Sequence, residues 1–245
     1  MHRSRSTGVF LFSILVAACA PVQEQTKQRT NDTASGGSGE SIAHISFPTQ
    51  DGGLIHADEY SKGERGVVLA HGGRFNKESW AEQAKILAAA GFRVVAIDFR
   101  GYGQSSGPGQ ADPMSAPLHF DVLAAVRYLK ETGSAHVSAV GGSLGGGAAA
   151  DAAISSPGEI DRVVLLAAWP NLPPENLKGR KLFLMARDDT SGSGPRLPTL
   201  RAIYEKTPEP KELIILDGSA HAQFLFETDQ AQAVMTHILR FMSEP

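Results

Sequence analysis

From Ser41 onward the apolar positions of the chain follow two spacings. Short runs rich in β-branched residues and bounded by turn formers predict strands at Ile42 to Phe47, Leu54 to Ala57, Val67 to Ala70, Arg93 to Ile97, His136 to Val140, Arg162 to Leu166, Lys181 to Met185 and Leu213 to Leu216. Longer stretches with helical spacing lie between most of them, at Ser79 to Ala90, Ala116 to Thr132, Leu144 to Ile154, Leu197 to Glu205 and Asp229 to Met242. The runs VVAID, VVLL and LFLM are apolar on both faces, as befits strands of a parallel sheet covered by helices on each side. The pattern predicts an α/β fold, a doubly wound and mostly parallel sheet of about eight strands with helices on both faces. The first two runs are short and have no helix between them, so they are expected to form an antiparallel edge. Only about fifteen proline-rich residues (WPNLPPENLKG among them) part the strand ending at Leu166 from the next, too few for a lid domain. An open, shallow site follows.

The first forty residues are of another kind. An apolar run from Gly8 to Ala20 follows a basic start containing Arg3 and Arg5. It falls short of the roughly 20 residues that span a bilayer, so it reads as the hydrophobic region of a secretory signal and the protein is expected to be exported. Composition sharpens this picture at one residue. Of 245 residues, 42% are hydrophobic and 20% charged, enough apolar material for one core, and there is a single cysteine. One cysteine excludes an internal disulfide and a zinc site built from several thiolates. It stands at Cys19, after Val16, Ala17 and Ala18, and this segment resembles the lipobox of bacterial lipoproteins. The resemblance implies residues 1–18 as signal peptide and a lipidated Cys19 as mature N-terminus, anchored in the cell envelope, at the outer membrane of a Gram-negative cell. Ordinary cleavage after Ala18, leaving a soluble periplasmic protein, is the alternative. From Pro21 to Glu40 the chain is mostly polar and glycine-rich, with little to bury, and residues 19–40 are expected to form a flexible tether with a reach of about 25 Å. The folded domain is expected over residues 41–245. A net charge of −3 gives no clustered basic face for phosphates, so a nucleic-acid partner is not expected.

The sharpest chemical motif is Gly141-Gly142-Ser143-Leu144-Gly145, directly after the strand HVSAV and opening a predicted helix. A Ser held in a strained turn between strand and helix needs small neighbours, and the pentapeptide carries weight because of that context. A Ser hydroxyl is a weak nucleophile until a base takes its proton, so a His is required. Two of the eight His follow Ser143. His237 lies in the terminal helix, where packing explains it. His221 lies in the loop DGSAH after the last strand, at the sheet edge where binding groups converge. A carboxylate to orient the imidazole is expected at a strand end between them. Asp188 and Asp189 follow LFLMA; Asp189 is the choice and Asp188 stays open, because the turn's register is not fixed by sequence.

The order Ser143, Asp189, His221 resembles that of the α/β-hydrolase superfamily, and the likeness runs from about Ser41 to the end. His71-Gly72-Gly73 resembles the family's H-G turn, which implies an oxyanion hole from the backbone N–H groups of Gly73 and Leu144. Asp98-Phe99-Arg100-Gly101-Tyr102-Gly103-Gln104-Ser105 resembles the D-x-R-G-x-G-x-S turn, structural in the family. Where the family has G-x-x-D before its acid, Ala186 replaces the Gly. The dienelactone-hydrolase branch is similar in size and in lacking a lid, though its nucleophile is Cys. The resemblance implies a serine esterase acting on a small-molecule ester with small or exposed acyl groups, with no cofactor and no metal. An acyltransferase or peptidase could use the same residues, and a non-catalytic lipid-anchored binding protein could share the fold. Arg74, Arg100 and Arg187 each follow a strand near the expected site, where an anionic substrate group could be met; solvated turn positions, with Arg100 in a salt bridge, are the competing reading. Trp169 is either a wall of the acyl pocket or core.

Overall fold

The computed structural model describes His2 and residues 42–244. The signal run, Cys19 and the tether lie outside the described residues. The chain divides into two units, Met1–Ser38 and Gly39–Pro245, and the elements below belong to the second.

Strands β1 (Ala43–Pro48), β2 (Leu54–Tyr60), β3 (Arg65–Ala70), β4 (Arg93–Ile97), β5 (His136–Gly142), β6 (Arg162–Leu166), β7 (Arg180–Ala186) and β10 (Lys211–Leu216) form one sheet in the order β1-β2-β4-β3-β5-β6-β7-β10. β1 pairs antiparallel with β2 and β2 antiparallel with β4, whereas every pairing from β4 to β10 is parallel. The antiparallel edge and the eight-stranded sheet are those the hydrophobic pattern predicts. A two-stranded hairpin, β8 (Thr190–Ser191) with β9 (Gly194–Pro195), was not expected, since strands of two residues carry no periodicity. Helices α1 (Ala81–Ala89), α2 (His119–Glu131), α3 (Leu144–Ser155), α4 (Leu197–Lys206) and α5 (Ala231–Ser243) fall where helical spacing predicts them. The segment between β6 and β7 holds a single 3-10 turn, Pro174–Asn176.

Alternation along the strands feeds two cores. Val68, Ala70, Val95 and Ile97 point into one with α2 and α3, while Val67, Leu69, Val94 and Ala96 point into the other with α1 and α5. Because α3 is nearly all Gly and Ala (LGGGAAADAAIS), it lies close on the strands. A Cβ on Gly146 would come within 2.3 Å of the Ala168 side chain. The topology also fixes where a ligand can sit. The chain runs from β3 through α1 to β4 on one side, then crosses through α2 to β5 on the other. Order therefore reverses at β3, and a crevice opens at the carboxyl ends of β3 and β5.

Two polar clusters pin the turn after β4. Arg100 is fully buried, bonded to Asp121 (Nε to Oδ1, 2.9 Å), to Asp51 (2.6 and 2.9 Å) and to the Pro108 carbonyl (2.9 Å). Burial opposes its charge, yet the two carboxylates hold its pKa above the ordinary value. Removing one partner of such a pair typically costs about 3–5 kcal/mol, since it strands a buried charge. Arg100 is thus a structural ion pair and does not reach a ligand. His71, also fully buried, accepts from the Phe99 N–H at Nε2 (3.2 Å), so its proton sits on Nδ1 and is donated to the Gly72 carbonyl (2.8 Å). It ties the end of β3 to the end of β4 through a neutral ring, and burial lowers its pKa from 6.5 to about 4.

That depression gives stability a pH dependence. Between about pH 6.5 and 4 the unfolded chain binds a proton at residue 71 that the folded chain refuses, so the contribution is complete above pH 6.5 and is lost as pH falls toward 4. The loss should approach ~3 kcal/mol. Urea unfolding of wild type and His71→Asn across this range should show a steeper decline for wild type. Parallel curves would mean that His71 is not held neutral.

Candidate active site

The turn from β5 into α3 puts Ser143 at φ 49° and ψ −114°, a left-handed backbone that an L-residue rarely adopts. The surroundings enforce it. A Cβ on Gly141 would lie 2.4 Å from the Gly145 carbonyl oxygen, and one on Gly145 would lie 2.3 Å from that of Ala70, so neither position admits another side chain. The Ser143 N–H donates to the Leu166 carbonyl (2.9 Å), locking the turn to β6. This leaves the side chain standing off the sheet at the N-terminus of α3, where the helix carries partial positive charge and no acidic residue in its first turn.

The loop after β10 brings His221 to it. Nε2 of His221 lies 2.9 Å from Ser143 Oγ, and Nδ1 lies 2.7 Å from Asp189 Oδ2. The carboxylate accepts from Nδ1–H, which leaves Nε2 as the acceptor for the Ser hydroxyl. Asp189 is 1% exposed, whereas Asp188 is exposed, so the turn's register brings Asp189 and not Asp188 to the imidazole. His237 lies on α5, away from these groups. The hairpin β8–β9 then carries the chain back, the Arg196 N–H donating to the Asp189 carbonyl (2.9 Å). The Arg196 Nε ends 3.5 Å from Asp189 Oδ1, and both atoms are buried without a hydrogen bond.

On the other side of Ser143 lies the turn after β3. Gly73 and Leu144 both line the cavity over Ser143, and their N–H groups donate to nothing else among the described residues. Two side chains hold this turn in place. The Tyr102 hydroxyl donates to the Gly73 carbonyl (2.9 Å). Gln223, buried, accepts from the Gly72 N–H (2.6 Å) and donates through Nε2 to Ser79 Oγ (2.7 Å). Gln223 sits two residues past His221, so one short segment delivers the imidazole and braces the Gly-Gly turn. Sequence reading missed it: nothing in AHAQF marks a buried amide, because its partners lie 151 and 144 residues away.

The cavity over Ser143 measures about 310 Å³, at the small end for ligand sites, and is walled by Phe75, Met114 and Phe224 with Arg74 and Arg196. A larger one, about 410 Å³, opens at the amino ends of β3, β5 and β6; His136 there meets Asp161 (3.3 Å), but no hydrogen bond joins Ser138 to that imidazole. Trp169 is partly buried against the core and does not line the cavity over Ser143. Arg187 is exposed and faces Asp217 at 3.5 Å. Among the described residues no three metal-ligating side chains converge, and no helix is long and apolar enough to cross a membrane.

Comparison with known proteins bears on the whole assembly. A family model described as alpha/beta hydrolase fold matches residues 66–207. Bifunctional epoxide hydrolase 2 of Rattus norvegicus is 30% identical over 133 residues, 54% of this chain and 23% of that protein. A bifunctional esterase/perhydrolase of Acinetobacter calcoaceticus is 34% identical over 128 residues, 51% of this chain and 44% of that one. The chain thus spans a quarter to less than half of the length of these relatives. An esterase of Pyrococcus furiosus superposes with a TM-score of 0.68 at 17% identity, covering 83% of this chain and 90% of its own. The family match takes in more than half of the chain, from β3 through α4, and the strand order and the turn at Ser143 agree with it: the chain belongs to the α/β-hydrolase fold family.

Proposed function

We propose that this enzyme hydrolyses carboxylic esters through an acyl-enzyme on Ser143. The observation that carries the reading is the unbroken line of hydrogen bonds from Asp189 through His221 to Ser143 Oγ, ending at a cavity. As Oγ attacks the carbonyl carbon, its proton passes to His221 Nε2, and the charge this creates on the imidazole is met by Asp189. The carbonyl oxygen becomes an oxyanion facing the N–H groups of Gly73 and Leu144. The C–O bond to the alcohol then breaks, and the alcohol leaves with the proton from Nε2. Water attacks the acyl-enzyme by the same steps, giving the carboxylic acid and the free Ser. Small or exposed acyl groups suit the cavity of about 310 Å³ and the short β6–β7 connection.

We further propose export and lipid attachment at Cys19, supported by the basic start, the apolar run and the small residues before the only cysteine. Cells expressing the chain and fed radiolabelled palmitate should incorporate label that Cys19→Ser abolishes. Equal labelling of both would remove the anchor.

Ser143→Ala should lower kcat/KM on p-nitrophenyl acetate by about a thousandfold or more and abolish labelling by a fluorophosphonate probe. Activity within tenfold of wild type would remove Ser143 from the mechanism. Gln223 is a positioning residue in this scheme, acting through the Gly72–Gly73 turn. Gln223→Leu should cut kcat by about 10–100-fold, below the loss of a direct oxyanion donor, with KM nearly unchanged. A rise in KM at constant kcat would place its effect on substrate binding instead.

A further inference from the structure

The cavity over Ser143 holds more positive charge than the proposed chemistry uses. Among the described residues its charged side chains are Arg74 and Arg196, and no carboxylate lines it. Arg74, on the turn after Gly73, has no ion pair or hydrogen bond among the described residues. Arg196 stands on the other side, where the hairpin returns beside Asp189. It directs Nε to within 3.5 Å of Asp189 Oδ1 without bonding it, and its two terminal nitrogens, with four N–H donors, have no hydrogen-bond partner among the described residues. The side chain is 27% exposed, its Nε buried and its terminal nitrogens open on a wall of the cavity. The two buried arginines are instead bonded within the protein. Arg100 meets two carboxylates and a carbonyl, and Arg93 meets Glu59 and the Thr132 carbonyl.

Two guanidiniums on the wall of one small cavity can both donate to an anion, and such charge-assisted bonds are about twice as strong as neutral ones. The rest of the wall, Phe75, Met114 and Phe224, offers an anion nothing, so a charged group entering the cavity has only these partners besides the reacting groups.

We propose that the substrate is an ester carrying a carboxylate, received by Arg74 and Arg196 while its carbonyl lies against Ser143. This rests on the hydrolase reading of the same site and narrows its substrate class from neutral acyl esters to anionic ones. Arg196 then has two duties, its Nε facing the acid that orients His221 and its terminal nitrogens facing the substrate.

The test uses two matched pairs of esters that differ in the charge: monophenyl adipate against phenyl hexanoate, with the carboxylate on the acyl side, and 4-carboxyphenyl acetate against phenyl acetate, with it on the alcohol side. Binding to the full chain bearing Ser143→Ala is measured by calorimetry, and kcat/KM is measured on wild type. In at least one pair the anionic ester should bind about tenfold tighter and turn over with about tenfold higher kcat/KM. Both ratios should shrink toward one at roughly 0.5 M salt and in the Arg74→Gln, Arg196→Gln double variant. Because Arg196 also touches Asp189, a general loss of rate in its variant cancels within each pair. Arg74→Gln alone, at an exposed position, should reduce the ratios severalfold without risk to folding. Ratios near or below one in both pairs overturn the inference, as does a preference that survives loss of both arginines. Hydrolysis that persists in Ser143→Ala overturns the acyl-enzyme on Ser143 alone, because the kcat/KM ratios still report the charge preference. Charge-selective binding without turnover does the same.

Discussion

A non-glycine residue with φ of 49° costs on the order of 1–3 kcal/mol, and it persists only where the surroundings leave it no other conformation. At Ser143 those surroundings are backbone. Gly141 packs against the first turn of α3, and Gly145 packs against the carbonyls ending β3. The strain at one residue therefore constrains three elements. α3 must be made of Gly and Ala to lie so near the sheet, and β3 must end where its carbonyls meet Gly145. The β6 carbonyl at Leu166 must also be free to take the Ser143 N–H. The poor helix propensity of GGGAAADAA follows from this requirement. Tertiary burial, nearly complete from Gly145 to Ala153, offsets what the intrinsic preference lacks.

The same contacts connect the strained turn to the groups around it. Reversal of strand order at β3 puts the ends of β3 and β5 side by side, so the Gly72–Gly73 turn and Ser143 meet without any long loop. His221 and Asp189 come from neighbouring strands, β10 and β7, whose parallel register aligns Leu216 with Ala186 and carries both loops past the sheet at one level. Bonds across the crevice then set the fine geometry. His71 and Tyr102 hold the carbonyls of Gly72 and Gly73, and Gln223 takes the Gly72 N–H, which leaves the Gly73 N–H free of protein acceptors. The polar groups nearest the crevice therefore fall into two kinds. Some are fully bonded within the protein, and others, the Gly73 and Leu144 N–H groups and the guanidiniums of Arg74 and Arg196, lack a full set of partners among the described residues.

Much of this was legible in the sequence because it is carried by local signals. The strands β4, β6 and β7 contain uninterrupted apolar runs, and alternation along β3 assigns Val67 and Val68 to different cores. Ser143 stood out through its flanking glycines and His221 through its place after the last strand, and the bonds between them are those the chain order suggests. The choice between Asp188 and Asp189 was not legible, because it depends on how the turn after β7 closes. The Asp188 N–H goes to the Gly218 carbonyl, which turns the next side chain inward. Gln223 and Arg196 were invisible for a different reason. Each gains its environment from residues far off in sequence or across a hairpin whose strands are too short to show a period, so neither carries a pattern of its own.

Arg100 and Arg196 show how little residue type says and how much the partners do. Both follow a strand and approach the carboxyl edge of the sheet, and by sequence Arg100, set in a recognisable turn, could be read either as an anion contact or as a salt-bridge residue. Yet that turn is what removes it, since Asp121 on α2 and Asp51 before β2 take up its fork. Among the described residues Arg196 has one carboxylate within 4 Å, already bonded to His221, and its backbone N–H holds the Asp189 carbonyl, so its guanidinium is left without a hydrogen bond. A cation in that condition, beside a cavity also lined by Arg74 and by no carboxylate among the described residues, attracts negative charge. In the proposed reaction that attraction would act on an oxyanion at Ser143 as well as on a substrate carboxylate, so one arrangement of charge would favour both binding and the transition state.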